Sequence, residues 1–176
     1  MILLVNGAFG IGKTTIARVL IRRLPRAVLY DAELLGIALQ RIARLFGREV
    51  EDFQDLRVWR RLTITALRLV RVCFRNVVVP MTFSNAAYLD EIRAGLSRFE
   101  PNVLHVCLVA PVEVVHARLL GRGEDAVRQA WQYRRARECC AVHSDERFAK
   151  HMHAADRDVE AIADEILRGV SEEDRG

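Results

Sequence analysis

Two kinds of apolar pattern alternate along the chain. Residues 2–6 (ILLVN), 76–82 (NVVVPMT) and 103–110 (VLHVCLVA) are short continuous apolar runs, the look of strands covered on both faces. Between them, TTIARVLIRRL at 14–24, AELLGIALQRIARLF at 32–46 and the stretch from Leu56 to about Arg75 repeat apolar positions at helical spacing, which predicts helices with one buried side. AVLY at 27–30 adds a second strand, and KHMHA at 150–154 a weak fifth. Breakers set the limits. Pro25 ends the first helix, Asp31 can cap the second, and Ser84 or Asn85 can cap AAYLDEIRAGLSRF. Pro101-Asn102 turns the chain into the fourth strand, and Pro111 fits the first turn of the helix that follows. Glu124 to about Cys140 predicts a charged helix, DVEAIADEIL a closing one, and 47–55 an ordered polar loop. Strands separated by helices require parallel pairing through right-handed crossovers. The predicted fold is a doubly wound α/β three-layer sandwich on a mostly parallel five-stranded sheet, one domain over 1–176, with a lid segment at about 118–147.

Composition narrows the class. With 176 residues, 51% hydrophobic, 28% charged and 4 prolines, the chain has the makeup of a soluble globular domain with a substantial core. The apolar run at its start is too short for a signal peptide or a membrane span, so the expected location is the cytoplasm. Cys73 and Cys107 read as core filler, and the adjacent Cys139-Cys140 pair as reduced, non-catalytic thiols. A net charge of +4 permits a phosphate-rich ligand. The basic residues form no long block and do not interleave with aromatics, so no nucleic-acid partner is expected.

The chemistry concentrates in GAFGIGKT, which fits G-x-x-x-x-G-K-[ST] with a predicted strand before it and a helix after it. Gly7, Gly10 and Gly12, with Ala8, Phe9 and Ile11 between them, form a P-loop whose backbone N–H groups can turn inward around phosphate oxygens. Lys13, one of very few lysines in an arginine-rich chain, supplies a compact ammonium for the β and γ phosphates of ATP, where the broad arginine fork does not fit. Thr14 offers a hydroxyl to Mg²⁺, and Thr15 reaches the α phosphate.

Three further groups are candidates. Asp31, at the end of the second strand, is placed to deprotonate an acceptor hydroxyl or hold a metal-bound water, and it is equally a plain helix cap; Glu33 is a weaker second candidate that reads first as a solvated first-turn acid. Arg118 and Arg122, four apart, share a helix face, one to stack on the base and one to offset charge on the transferring group. Arg134, Arg135 and Arg137 would arrive from the lid, where each is also readable as part of a solvated face. EDFQDLRVWR, with Phe53, Gln54, Asp55 and Trp59, suits a pocket for a polar ligand with rings; its alternative is helix capping by Asp55 with Phe53 and Trp59 stapling the core.

Taken together, GAFGIGKT, YDAELLGIAL, EDFQDLRVWR, VVVPMT and the Trp131, Cys139 and Phe148 spacing resemble the tunicamycin-resistance family of P-loop proteins. More distantly the chain resembles antibiotic phosphotransferases and the shikimate and nucleoside-monophosphate kinases. The resemblance implies an ATP-binding protein that protects a cell from a nucleoside antibiotic. By it, Gly7, Gly12, Lys13 and Thr14 would hold nucleotide, Arg118 and Arg122 would serve adenine and phosphates, and Asp31 with residues 52–59 would face the second ligand. Two activities remain open: phosphate transfer to a small-molecule acceptor, and ATP-dependent sequestration of the antibiotic. The third strand ends without an acid, which leaves the group that organises the metal unassigned.

Overall fold

The computed structural model describes residues 1–121, 126–148 and 150–173. Among them five strands form one sheet: β1 (Ile2–Gly7), β2 (Ala27–Leu29), β3 (Asn76–Met81), β4 (Val103–Val109) and β5 (Lys150–His153). Their order is β2-β3-β1-β4-β5 and every pairing is parallel, as the strand–helix alternation requires. β1 is buried at all six positions because it pairs on both edges and is covered on both faces. Pro80 lies beyond Val78, the last residue of β3 to pair with β2, so its missing N–H costs no bond at that edge.

Among the described residues seven helices cover the sheet: α1 (Lys13–Arg23), α2 (Ala32–Leu45), α3 (Arg57–Cys73), α4 (Ala86–Ser97), α5 (Val112–Leu120), α6 (Ala126–Val142) and α7 (Val159–Glu173). Alternate side chains along β1 divide the core. Leu3 and Val5 pack with Ile16, Leu20, Ile162 and Ile166 of α1 and α7. Ile2 and Leu4 pack with Trp59 and Leu67 of α3 and with Leu89 and Ile92 of α4. The helix after β1 and the helix after β3 thus lie on opposite faces, which opens a crevice at the carboxyl ends of these neighbouring strands.

Local chemistry sets the helix ends. The Asp31 carboxylate accepts from the Glu33 N–H at 3.0 Å and Asn85 from that of Ala87 at 2.9 Å, so Asn85 rather than Ser84 is the cap. Pro111 stands one residue outside α5 instead of in its first turn. Within the predicted polar loop a short 3-10 turn forms over Phe53–Asp55. Cys73 is exposed at the end of α3 and is not core filler. Burial pushes the Cys107 thiol up to about 12 and that of Cys139 to about 11, which keeps both protonated and unreactive.

Two buried histidines carry a pH consequence. Burial is the largest cause that pushes His105 down to about 3 and His143 down to about 4. Both are therefore neutral when folded, whereas an unfolded chain takes up protons as the pH falls below about 6.5. The unfolded state binds more protons in that window, so folding stability declines from pH 6.5 towards 4, by up to about 1.4 kcal/mol per pH unit for each histidine. Urea titrations across this range should record that decline, and His105→Leu should make it shallower.

Candidate active site

The P-loop turns the chain from buried β1 into α1. Its last residue, Gly12, has φ 108, in the left-handed region, and a Cβ built there would meet nothing within 4 Å. The space beside it is open, and glycine is required by the backbone angle alone. An anion approaching the start of α1 therefore finds bare main chain and the positive end of a helix dipole. Lys13 is the first residue of that helix; its side chain is almost fully buried and donates from Nζ to the Ala8 carbonyl at 2.9 Å, with the Phe9 ring centroid 5.5 Å away. Thr14 and Thr15 are exposed in the first turn.

Cavities open on both sides of the loop. The smaller, about 290 Å³, is bounded by Gly10, Gly12, Thr15, Arg118, Arg157 and Ile162. Arg118 braces its wall, donating to the carbonyls of Ile11 at 3.0 Å, Ala154 at 2.8 Å and Ala155 at 2.9 Å. The guanidinium thereby joins the P-loop to the segment after β5. The larger cavity, about 1500 Å³, reaches from Phe9 across α2 and the 3-10 turn to α6. That volume exceeds what most small-molecule pockets enclose.

The walls of the larger cavity are held by buried polar contacts. Gln54 donates from Nε2 to the Thr82 carbonyl at 2.7 Å, fixing the 3-10 turn to the end of β3, while its own Oε1 is buried without a partner. Arg60 is 4% exposed; it donates to the Gln54 carbonyl, pairs with Glu91 at 2.6 Å and lies 4.1 Å from the Tyr88 ring centroid. Asp52 caps the 3-10 turn through the Gln54 N–H and pairs with Arg135 of α6 at 2.9 Å; Arg135 also reaches Ser84. Phe9 of the P-loop meets Trp131 of α6 edge to face, with centroids 5.3 Å apart. At the base of the crevice, Asn6 brackets Phe83 by accepting from its N–H at 2.8 Å and donating to its carbonyl, to which His143 also bonds.

Glu33 is the acid that this arrangement brings to the P-loop. It lines the larger cavity, and burial raises its carboxyl above the ordinary glutamate range, partly offset by the Lys13 ammonium. It is not the solvated first-turn acid its position suggests. Asp52, in the same wall, is also raised by burial.

Several of the sequence candidates meet here. Phe9, Phe53, Gln54, Asp55 and Arg134 line the larger cavity; Gly10, Ile11, Gly12, Thr15 and Arg118 line the smaller. Asp31 lines neither, being exposed with its carboxylate turned to the α2 N-terminus. Trp59 is buried in the core with its indole N–H on the Ala32 carbonyl at 3.0 Å, so it supports α2 from beneath and is not in a cavity wall. Arg122 falls outside the described residues, as does part of the expected lid. The sequence does not mark Ser84, Trp131 or Arg157 as cavity-lining residues, nor Asp52 as the partner of Arg135. For Asp52 a signal existed, because its position before FQD is that of a cap.

Two separated motifs are joined by Gly36. A Cβ at that position would lie 2.4 Å from the Phe53 ring, so the glycine of YDAELLG makes room for the phenylalanine of EDFQD.

The AAA domain family profile matches residues 2–138. No curated protein matches the sequence. Among solved structures, the tunicamycin resistance protein of Deinococcus radiodurans is similar with a TM-score of 0.73 and 26% identity, over 97% of this chain and 95% of that one. A gluconokinase from Sinorhizobium meliloti 1021 has a TM-score of 0.67 and 18% identity, covering 97% and 91% of the two chains. A shikimate kinase from Acinetobacter baumannii, in complex with shikimate, has a TM-score of 0.57 and 19% identity, covering 98% and 93%.

Replacing glycine by alanine inside a helix ordinarily stabilises by about 1 kcal/mol. Gly36→Ala should do the reverse, costing about 1–3 kcal/mol through overpacking against Phe53, as read by chemical denaturation.

Proposed function

The chain belongs to the AAA domain family matched over residues 2–138, with a P-loop kinase-like fold, and from that premise we propose that it is an ATP- and Mg²⁺-dependent phosphotransferase acting on a small-molecule hydroxyl. One observation carries the reading: the P-loop stands between two cavities, with Gly12 and Thr15 facing the smaller and Phe9 and the carboxylate of Glu33 at the larger. A hydrolase needs no second cleft, whereas transfer needs a place for an acceptor and a group to take its proton.

The residues divide the work by chemistry. The loop amides and Lys13 hold the polyphosphate, the open space at Gly12 leaves room for it, and the smaller cavity, braced by Arg118, takes the base. Thr14 would hold Mg²⁺, which supplies neutralisation of charge on the phosphates when bound. Glu33 accepts the proton of the acceptor hydroxyl, and its raised affinity for protons suits that task better than that of an ordinary exposed carboxylate. Asp31 retains a capping role and orients α2, on which Glu33 rides. Phe53, Gln54, Asp55, Trp131 and Arg134 surround the acceptor. The similarity to the Deinococcus radiodurans tunicamycin resistance protein supports a nucleoside antibiotic such as tunicamycin as the acceptor and resistance as the outcome, in the cytoplasm.

A second reading, ATP-dependent sequestration of the unaltered antibiotic, is favoured by one feature: β3 is followed by Thr82 where an acid would help organise a metal.

Incubation with ATP, Mg²⁺ and tunicamycin, followed by mass spectrometry, should give an acceptor heavier by one phosphoryl group. Unaltered antibiotic bound more tightly with a non-hydrolysable nucleotide would establish sequestration instead. Lys13→Ala should weaken ATP binding by about tenfold or more, a loss of about 1.4 kcal/mol, by calorimetry with the fold retained. Glu33→Gln should lower kcat by about 10²–10⁴ and leave ATP affinity unchanged. Because a base works only when ionised, kcat/KM should rise with pH through a midpoint above the ordinary glutamate value of 4.5, and the limb should vanish in Glu33→Gln.

A further inference from the structure

One face of α6 is turned to the larger cavity. Trp131, Arg134, Arg135, Glu138 and Val142 recur at helical spacing, and all five line that space. The middle three are charged. Trp131 is 41% exposed at the end of this row, the one large apolar side chain of α6 that stands strongly exposed among the described residues. The chain's other tryptophan sets the contrast: Trp59 is fully buried and its indole N–H is spent on the Ala32 carbonyl.

Trp131 is held from one direction only by a ring. Phe9 meets it with centroids 5.3 Å apart and planes at 64°. An edge-to-face contact occupies at most one face of the indole, and the exposed remainder opens on the cavity. Phe9 is itself steadied from behind, because the Lys13 ammonium lies 5.5 Å from its ring centroid. A group laid on Trp131 is therefore referenced, through Phe9, to the P-loop and its lysine.

The surroundings of the open indole decide what that group is. An aliphatic chain needs a continuous apolar track, but along α6 the next apolar member of the row, Val142, lies about three turns away beyond Arg134, Arg135 and Glu138. A single flat panel bordered by charge fits a planar conjugated ring, whose faces are apolar and whose edge is polar. Arg135 is engaged with Asp52 and Glu138, whereas Arg134, exposed one turn from Trp131, can offer guanidinium donors to oxygens on the edge of such a ring.

We propose, on the reading of the larger cavity as the acceptor's place, that Trp131 is the stacking platform for a planar conjugated ring of the acceptor, such as a nucleobase. Trp131 is then the residue that separates ring-bearing acceptors from open-chain polyols. Stacking on an aromatic side chain accepts any base by its π face, so the platform selects a ring and the polar wall around it selects the edge. The sugar attached to the ring carries its hydroxyls towards Glu33 and the P-loop.

The two tryptophans supply the test. Trp59 is shielded by the core, so quenching of the emission by iodide or by an added ring reports Trp131. With a non-hydrolysable ATP analogue present, tunicamycin or uridine should quench the full chain saturably and protect it from iodide, and sorbitol should do neither. Trp131→Leu keeps an apolar contact for Phe9 and removes the stacking face; it should weaken tunicamycin binding about tenfold or more in calorimetry, and Trp131→Phe should recover most of the loss. In a transfer assay the same variant should raise KM by a like factor and change kcat by less than about threefold. The proposal is overturned by unchanged tunicamycin affinity in Trp131→Leu, by the absence of quenching with either nucleoside, or by equal quenching with sorbitol. It is also overturned if the ATP analogue alone already shields Trp131, because the nucleotide's own base would then occupy the platform. Quenching with no phosphate transfer would sustain the platform and refute the phosphotransferase reading, whereas transfer with an unchanged KM in Trp131→Leu would do the reverse.

Discussion

Gly12 holds a backbone angle that side chains resist because β1, buried on both faces, must reverse into α1 within a few residues. That reversal fixes where an anion can be met. It leaves the first amides of α1 without a side chain in front of them and brings Lys13 into the first turn, with its ammonium folded on the Ala8 carbonyl. The loop is also pinned at both ends. Asn6 brackets Phe83 just before the reversal, and Arg118 grips the Ile11 carbonyl within it. A glycine-rich loop with this much conformational freedom is ordered by what surrounds it.

The two cavities follow from the same geometry. Helices on opposite faces of the sheet diverge from the ends of β1 and β3, and the P-loop stands in the gap. On one side the chain after β5 closes against it through Arg118. On the other, α2, the 3-10 turn and α6 enclose a much larger space, held by Arg60 beneath the wall and by the Asp52–Arg135 pair across it. Asp52 and Arg135 are both partly shielded, so their attraction is less screened than that of a surface pair. The Phe9 and Trp131 rings make a second bridge from the P-loop to α6. Whatever enters the larger cavity must displace or accommodate these two bridges.

The sheet, the helices and the P-loop were legible in the sequence because each rests on local chemistry: continuous apolar runs, capping residues and a glycine pattern with one lysine. The larger cavity was less so. Residues 51–55 pointed to it, but which acid faced it depended on helix phase. Asp31 is committed to the N–H of Glu33, and Glu33, two residues on, turns into the crevice, where its charge meets that of Lys13. Trp59 carries the amphipathic character that suits a ligand wall, yet its indole N–H finds a partner beneath α2 and the ring goes to the core. Arg135 and Asp52 lie far apart in the chain, and no periodicity links them. Such pairings become visible only once the fold has placed α6 over the 3-10 turn.

The end of β3 has a different task from the one its position suggests. The Thr82 carbonyl receives the Gln54 amide, and the Phe83 backbone is engaged by Asn6 and His143. Three segments are thereby aligned on one strand end: the approach to the P-loop, the wall of the larger cavity and the end of α6. A carboxylate in place of Thr82, which is buried with its side chain beside Glu33, would set a second negative charge against that of Glu33 where desolvation is expensive. The negative charge of the site is carried instead by Glu33 on α2 and Asp52 at the 3-10 turn, both outside the sheet. Their positions depend on Gly36, Arg60 and Arg135, so the acids belong to the cavity wall and the P-loop to the strands.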